Sequence, residues 1–281
     1  MAASVIRARY SSLLLNIIRC WGLLLLLNIA SAQAEQGDLW VLTNLEPPFS
    51  QQNDRGQFEG LVIDIANDIL QEAEIQQQIL AAPWERVLKE ASSKANVMLF
   101  ALARTPEREE QFHWLTPLTA MIVGVFSLAE PVKIAKQLGD LNLTESIAVL
   151  DGDFRQKLLQ QAGASNIVVL KNWTQGTDML LKGDVRNLFM SSIGMQLTCQ
   201  RLQRDCSHVK PILIYQQVTS YIALSKGTDV TTIAALTLAA NRYKQSQKFA
   251  QTVSKWISIY FERDGLFMHL DNGVINLWAA E

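Results

Sequence analysis

The sequence predicts an α/β protein of two compact units. Three observations predict it: strands and helices alternate, the alternation restarts after residue 120, and the 247 residues that follow the first 34 exceed one typical domain. The first strand is Leu39-Trp40-Val41-Leu42, ended by the turn-rich Glu46-Pro47-Pro48-Phe49-Ser50, because proline cannot donate to a strand ladder. Polar residues 51 to 57, with Asp54, Arg55 and Gly56, read as a tight turn. Leu61, Ile65, Ile69 and Leu70, with Ile75 further on, then carry helical spacing. Ile79 to Ala82 forms the next apolar run, and a helix opens at Pro83 with Trp84, Val87 and Leu88 on one face. Proline fits the first helical position, where its missing N–H costs nothing. The strand Val97 to Leu102 completes this run.

The restart begins with Ile122 to Phe126 and continues through Ile147 to Leu150, a helix from Arg155 to Ala162, and Ile167 to Leu170. Met179 to Leu181 on a helix, Leu188-Phe189-Met190 and Ile212-Leu213-Ile214 follow. Tyr221 to Leu224 is a further strand, and helices from 232 to about 261 close the fold. Strands alternating with helices imply a parallel sheet.

Residues 1–34 read as a secretory signal. Arg7 and Arg9 precede an apolar run centred on Leu23 to Leu27, and Ala32-Gln33-Ala34 puts small residues at the cleavage positions, so the mature chain should begin at Glu35 in the periplasm. Asn16 and Arg19 interrupt the apolar stretch and leave it short of the about 20 residues a membrane-spanning helix needs. The signal carries away three arginines and no acid, which takes the formal charge from -2 to -5. That balance argues against nucleic acid, whose phosphates demand a basic surface. Cys20 leaves with the signal, and Cys199 and Cys206 remain in an oxidising compartment, where a disulfide closing a small loop is expected. A metal pair is the rival, but only His208 lies close, and zinc needs three or four ligands.

Nucleophile elbows, phosphate-cradling glycine loops and zinc signatures need fixed spacings that this chain lacks, so neither a cofactor nor a metal is expected. The informative segment is Ala103-Arg104-Thr105-Pro106-Glu107-Arg108, where an apolar strand ends and a helix begins. Thr105 is a natural N-cap, Pro106 suits the first helical position, and Glu107 favours the dipole. Arg108 opposes that dipole and so requires another reason to be there. Its planar fork matches a carboxylate bidentately, which makes an anion site; a salt bridge to Glu109, Glu110 or Asp64 is the alternative.

These features together resemble the periplasmic binding proteins of polar amino-acid ABC transporters, bacterial extracellular solute-binding family 3. The matching stretches are Glu46 to Ser50, Gly60 to Ala66, Pro83-Trp84, Thr105 to Arg108 with Phe112 to Pro117, Ile147 to Gly152, and Tyr221 to Lys226. The resemblance implies a two-lobed type II periplasmic-binding-protein fold with two hinge crossings. Lobe one would be 35–120 with 218–281, and lobe two 121–217. It implies that Arg108 grips a ligand carboxylate, Trp84 stacks on the ligand, and the Ala103 backbone faces it. Asp153 and Phe154 match the helix N-terminus that completes the carboxylate site. Glu46 occupies a place often aromatic. The lobe-two acid expected to meet a ligand ammonium falls near Ser191 or Ser192, which carry no charge, so Glu46 would have to supply it or the ligand lacks an ammonium. The implied function is capture of a small polar solute by a monomer that closes around it and is read by an ABC permease. A sensory module read by a membrane signalling protein is the second reading. The third is an enzyme such as a dehydratase with Glu46 as general acid or base; a lone carboxylate without a partner weighs against catalysis.

Overall fold

The computed structural model describes residues 38–46, 49–53, 55–128 and 134–279. The expected signal and its cleavage site lie outside the described residues, as do Pro47, Pro48 and Asp54. The first run comprises β1 (Trp40–Thr43), a short hairpin of β2 (Gln51–Gln52) and β3 (Phe58–Glu59), α1 (Leu61–Glu72), β4 (Ile79–Ala81), α2 (Trp84–Ser93) and β5 (Val97–Ala103). Pro83 sits one position earlier than expected, as the extended N-cap of α2. A 3-10 turn, Pro106–Gln111, leads into β6 (Phe112–Ser127). The second run holds β7 (Ile147–Leu150), α3 (Phe154–Gln161), β8 (Ile167–Leu170), α4 (Trp173–Lys182), β9 (Asn187–Ser191) and α5 (Ser192–Leu202). β10 (Lys210–Ser225), α6 (Val230–Lys244), α7 (Gln247–Asp264), β11 (His269–Asp271) and β12 (Val274–Asn276) complete the chain.

Among the described residues ten strands form one sheet whose main path runs β4-β1-β5-β10-β6-β9-β7-β8, with β12 on β6 and β11 on β12. The expected parallel pairing holds for β4, β1 and β5 and again for β9, β7 and β8. Between these groups β10 and β6 run antiparallel to each other, and antiparallel to β5 and β9 respectively. The sequence breaks this pair into three short strands, whereas the structure shows two strands of 16 residues each. Within β6, Pro117 and Gly124 each sit where the ladder allows them. The register shifts between Ser220 and Tyr221, opposite Thr119 and Pro117, so the missing proline N–H falls at a bulge. At Gly124 an added Cβ would lie 2.5 Å from the Leu213 carbonyl oxygen, so the absence of a side chain lets β10 approach.

The long pair contributes to separate cores. Leu118 and Ile222 join Val41, Ile65, Phe100 and Tyr260 beneath α1, α6 and α7. Val123, Val125 and Leu213 join Val149, Leu159 and Phe189 beside α3. Helix α5, which has no counterpart in the sequence reading, buries Met195 and Cys199 against Leu170 and Leu188, and turns Ile193 and Leu197 toward the α7 side. Cys199 and Cys206 form a disulfide with an S–S distance of 2.02 Å and a Cα–Cα distance of 6.1 Å. It closes a short loop after α5, so reduction should cost about 2 kcal/mol in the loop-entropy model. Urea unfolding with and without reductant measures this directly.

Lys244 is the one lysine among the described residues whose pKa burial lowers to about 8. It donates to the Gly273 carbonyl and lies 4.4 Å from the Phe249 ring centroid. Because the folded pKa lies below the ordinary 10.5, the folded state binds this proton less well than the unfolded chain does. The resulting penalty is complete below about pH 8 and relieved as pH rises toward 10.5. Lys244→Met should therefore stabilise the fold at pH 7 by about 1 to 2 kcal/mol after loss of the hydrogen bond and ring contact, and by less at pH 10. Denaturant titrations at both values check the sign.

Candidate functional site

A cavity of about 510 Å³ opens between segments of the two runs, within the size range of small-molecule sites. The turn after β1 supplies Glu46. Its N–H donates to the Ser50 carbonyl and hydroxyl oxygens at 2.9 and 3.0 Å, and its carbonyl accepts from the Phe49 N–H at 3.0 Å. This small bridge fixes the backbone and leaves the carboxylate facing the cavity. Glu46 is solvent-exposed as a residue, while its side chain lies among the atoms of the cavity wall. Burial accordingly raises its pKa above the usual carboxylate range, against the opposing pull of the Arg155 charge, the Asn44 hydrogen bond and the Arg201 charge.

Trp84, the first residue of α2, lines the same cavity and packs its ring beside the buried Leu42, Val87 and Leu99. Its indole N–H is buried without a hydrogen-bond partner. Ser191 ends β9 on the opposite wall, where its hydroxyl caps α5 by accepting from the Gly194 N–H at 3.1 Å. Ala101 brings the β5 backbone into the wall at φ 63°, a left-handed conformation unusual for alanine. It sits in a bulge where Leu99 to Leu102 oppose Ala223 to Tyr221.

The remaining predicted residues gather beside the cavity rather than in its lining. Arg108 is only 7% exposed, and its guanidinium donates to the Ala103 carbonyl at 3.3 Å and the Gly152 carbonyl at 3.5 Å. No carboxylate among the described residues lies within ion-pair distance of it. Glu109 is taken by Arg104, which stacks on Trp114 and Tyr221, and Asp64 accepts from Lys255 and the Trp256 indole. Burial lowers the Arg108 pKa, and Asp153 is the charge that most opposes that shift. Asp153 is the N-cap of α3 and accepts from the Arg155 N–H at 2.9 Å, then pairs with the Arg155 guanidinium at 2.6 and 2.8 Å. Burial pushes the Asp153 carboxyl up, but the charge and hydrogen bonds of Arg155, with Arg108, outweigh it and leave the pKa lowered. Phe154 opens α3 with its ring in the adjoining core and under the Arg155 guanidinium at 5.1 Å.

The structure thus sorts the predicted residues into two neighbouring groups: Glu46, Trp84 and Ser191 in the cavity wall, and Ala103, Arg108, Asp153 and Phe154 beside it. Arg155 connects them, since it stacks 4.5 Å from the centroid of Trp173, a wall residue, while gripping Asp153. Sequence reasoning missed Arg155, Trp173 and Arg201. Asn172 is an N-cap directly after a strand, accepting from the Gln175 N–H, and that signal would have placed Trp173 at the first turn of a helix where a strand ends.

Two α/β units sharing a long antiparallel strand pair, with a cavity between them, define a type II periplasmic binding protein. The chain belongs to the bacterial extracellular solute-binding proteins, family 3, whose model matches residues 39–259. A curated relative, the octopine-binding periplasmic protein of Rhizobium meliloti, is 26% identical over 126 residues, which are 44% of this chain and 42% of that protein. The chain therefore matches less than half of that relative's length. A solved mutant of ArgBP from T. maritima superposes at a TM-score of 0.65 with 16% identity, covering 78% of this chain and 95% of that one. A histidine kinase sensor domain with similarity to periplasmic binding proteins does so at 0.65 with 14% identity, covering 79% and 97%. At such identities the likeness carries the fold alone. No helix among the described residues is long and apolar enough to cross a membrane.

Proposed function

We propose that the chain is a periplasmic receptor that closes around a small, carboxylate-bearing, amino-acid-like solute and presents the closed form to an ABC permease. The lobes would be 35–120 with 218–281, and 121–217, hinged where β6 and β10 cross between them. One observation carries this reading: a buried arginine, Arg108, without a carboxylate in ion-pair distance, stands beside a cavity lined from both runs. A buried guanidinium costs free energy unless an anion meets it, and a ligand carboxylate can do so bidentately. Glu46 is the one acidic residue in the cavity wall among the described residues, and in this reading it meets a ligand ammonium in the absence of an acid at Ser191. Family membership and the octopine-binding relative support a solute of this class.

Closure follows from differential affinity, because a ligand touching both walls stabilises the form that brings them together. A thermal-shift screen of polar amino acids, opines, organic acids and amines tests the reading, since a ligand of the folded form alone raises the unfolding midpoint. Response to amines without carboxylates, and to nothing else, would defeat it. A sensory role is the second reading, supported by the fold shared with a histidine kinase sensor domain. Pull-down of the closed form on permease against sensor-kinase ectodomains separates the two.

A further inference from the structure

We propose that the Asp153 carboxylate, held by Arg155 next to the Gly152 carbonyl that Arg108 reaches, competes with a ligand carboxylate for this pair of arginines and has to give way when the ligand binds. The inference rests on the receptor reading above for its ligand, but the contact itself is built entirely from this chain. Arg108 reaches across to Gly152, the residue immediately before Asp153. The Asp153 carboxylate is held at the first turn of α3 by the Arg155 N–H and by both arms of the Arg155 guanidinium. Its side chain is 11% exposed and that of Arg155 7%. One carboxylate therefore stands at a helix N-terminus, on one arginine and one residue beyond the carbonyl that a second arginine reaches, which is where a bound carboxylate would stand. Asp153 is also the largest charge acting on Arg108, in agreement with that geometry.

A second carboxylate cannot enter this position cheaply while Asp153 stays, because two like charges would share one desolvated site. If Asp153 swings out, Arg108, Arg155 and the freed N–H at the start of α3 remain as a ready site for a small monocarboxylate. Asp153 then acts as an internal competitor that lowers affinity for carboxylates while keeping the buried Arg155 compensated. This accounts for an acid standing where an anion is to be received.

Asp153→Ser tests the idea, because serine keeps a capping oxygen for α3 and removes the charge. The first probe is sodium acetate, compared with sodium chloride at equal ionic strength, with the unfolding midpoint as readout. The wild-type midpoint should not respond specifically to acetate. That of Asp153→Ser should be lowered in chloride and restored saturably by acetate, and the restoration should vanish when Arg108→Met is added. Restoration that persists without Arg108 would mean that acetate merely pairs with Arg155, and absence of restoration would mean that no anion position exists; either overturns the proposal. The second probe pair is L-arginine and agmatine, which differ by the carboxylate. Asp153→Ser should bind L-arginine about tenfold tighter than wild type, with agmatine unchanged. Weaker binding of L-arginine by Asp153→Ser would make Asp153 a ligand partner and overturn the competitor role. Should acetate behave as expected while neither L-arginine nor any other carboxylate of the screen binds, the anion position stands and the receptor reading fails.

Discussion

Truncating Tyr260 to alanine should cost about 3 to 5 kcal/mol of folding stability, and Tyr260→Phe about 1 to 3. The side chain is fully buried, packs edge-on to Phe49 at 5.5 Å between centroids, and lies 5.1 Å from Trp256. Its hydroxyl oxygen accepts the Leu61 N–H at 2.9 Å, one of the orphan donors at the start of α1. The preceding residue, Gly60, adopts φ 129° and offers no capping side chain, so a residue from α7 caps α1 across the core. Phenylalanine keeps the ring and leaves that buried N–H unpaired; alanine adds a cavity. Urea unfolding of the three proteins separates the two contributions. A loss in Tyr260→Phe indistinguishable from zero would show that water replaces the hydroxyl. Since Phe49 and Val62 both line the cavity, the same cap ties the cavity wall to the core.

Periodicity revealed what a single element buries and failed where burial depends on partners. The helical spacing of Leu61, Ile65 and Ile69 is visible because α1 buries one face, and the apolar runs at 97 and 147 because β5 and β7 are buried on both. Helix α5 escaped notice because Leu197, Thr198 and Cys199 are buried in succession, packing between two cores, which erases a one-sided stripe. The closing hairpin of β11 and β12 was legible and passed over: Asn272-Gly273, both at positive φ, is the strongest short hairpin signal a sequence offers. At the site, the strand-to-helix junctions at Trp84, Arg108, Asp153 and Ser191 could be placed from capping chemistry and resemblance. The charges could not, because Arg104 rather than Arg108 takes Glu109, and the engagement of Asp153 by Arg155 depends on a side-chain geometry that spacing does not encode.

Replacing Arg108 by alanine should weaken binding of a carboxylate-bearing ligand by about 2 to 5 kcal/mol, the loss expected for one partner of a buried, hydrogen-bonded charge pair. Arg108→Lys keeps the charge but loses the planar fork, so it too should bind more weakly although the net charge is unchanged. Folding should survive both changes. The two bonds that Arg108 makes are long, at 3.3 and 3.5 Å and to carbonyls, while Asp153 retains the bidentate grip of Arg155. Removing a desolvated cation also relieves the burial that lowers its pKa. A structural role predicts the reverse, with a lowered midpoint in the absence of ligand and unchanged affinity. Calorimetry on wild type, Arg108→Lys and Arg108→Ala, using a carboxylate found in the screen, separates the cases. Wild-type affinity in Arg108→Ala would take Arg108 out of the site, and leave Glu46 and the cavity wall as the only recognition groups the ligand meets.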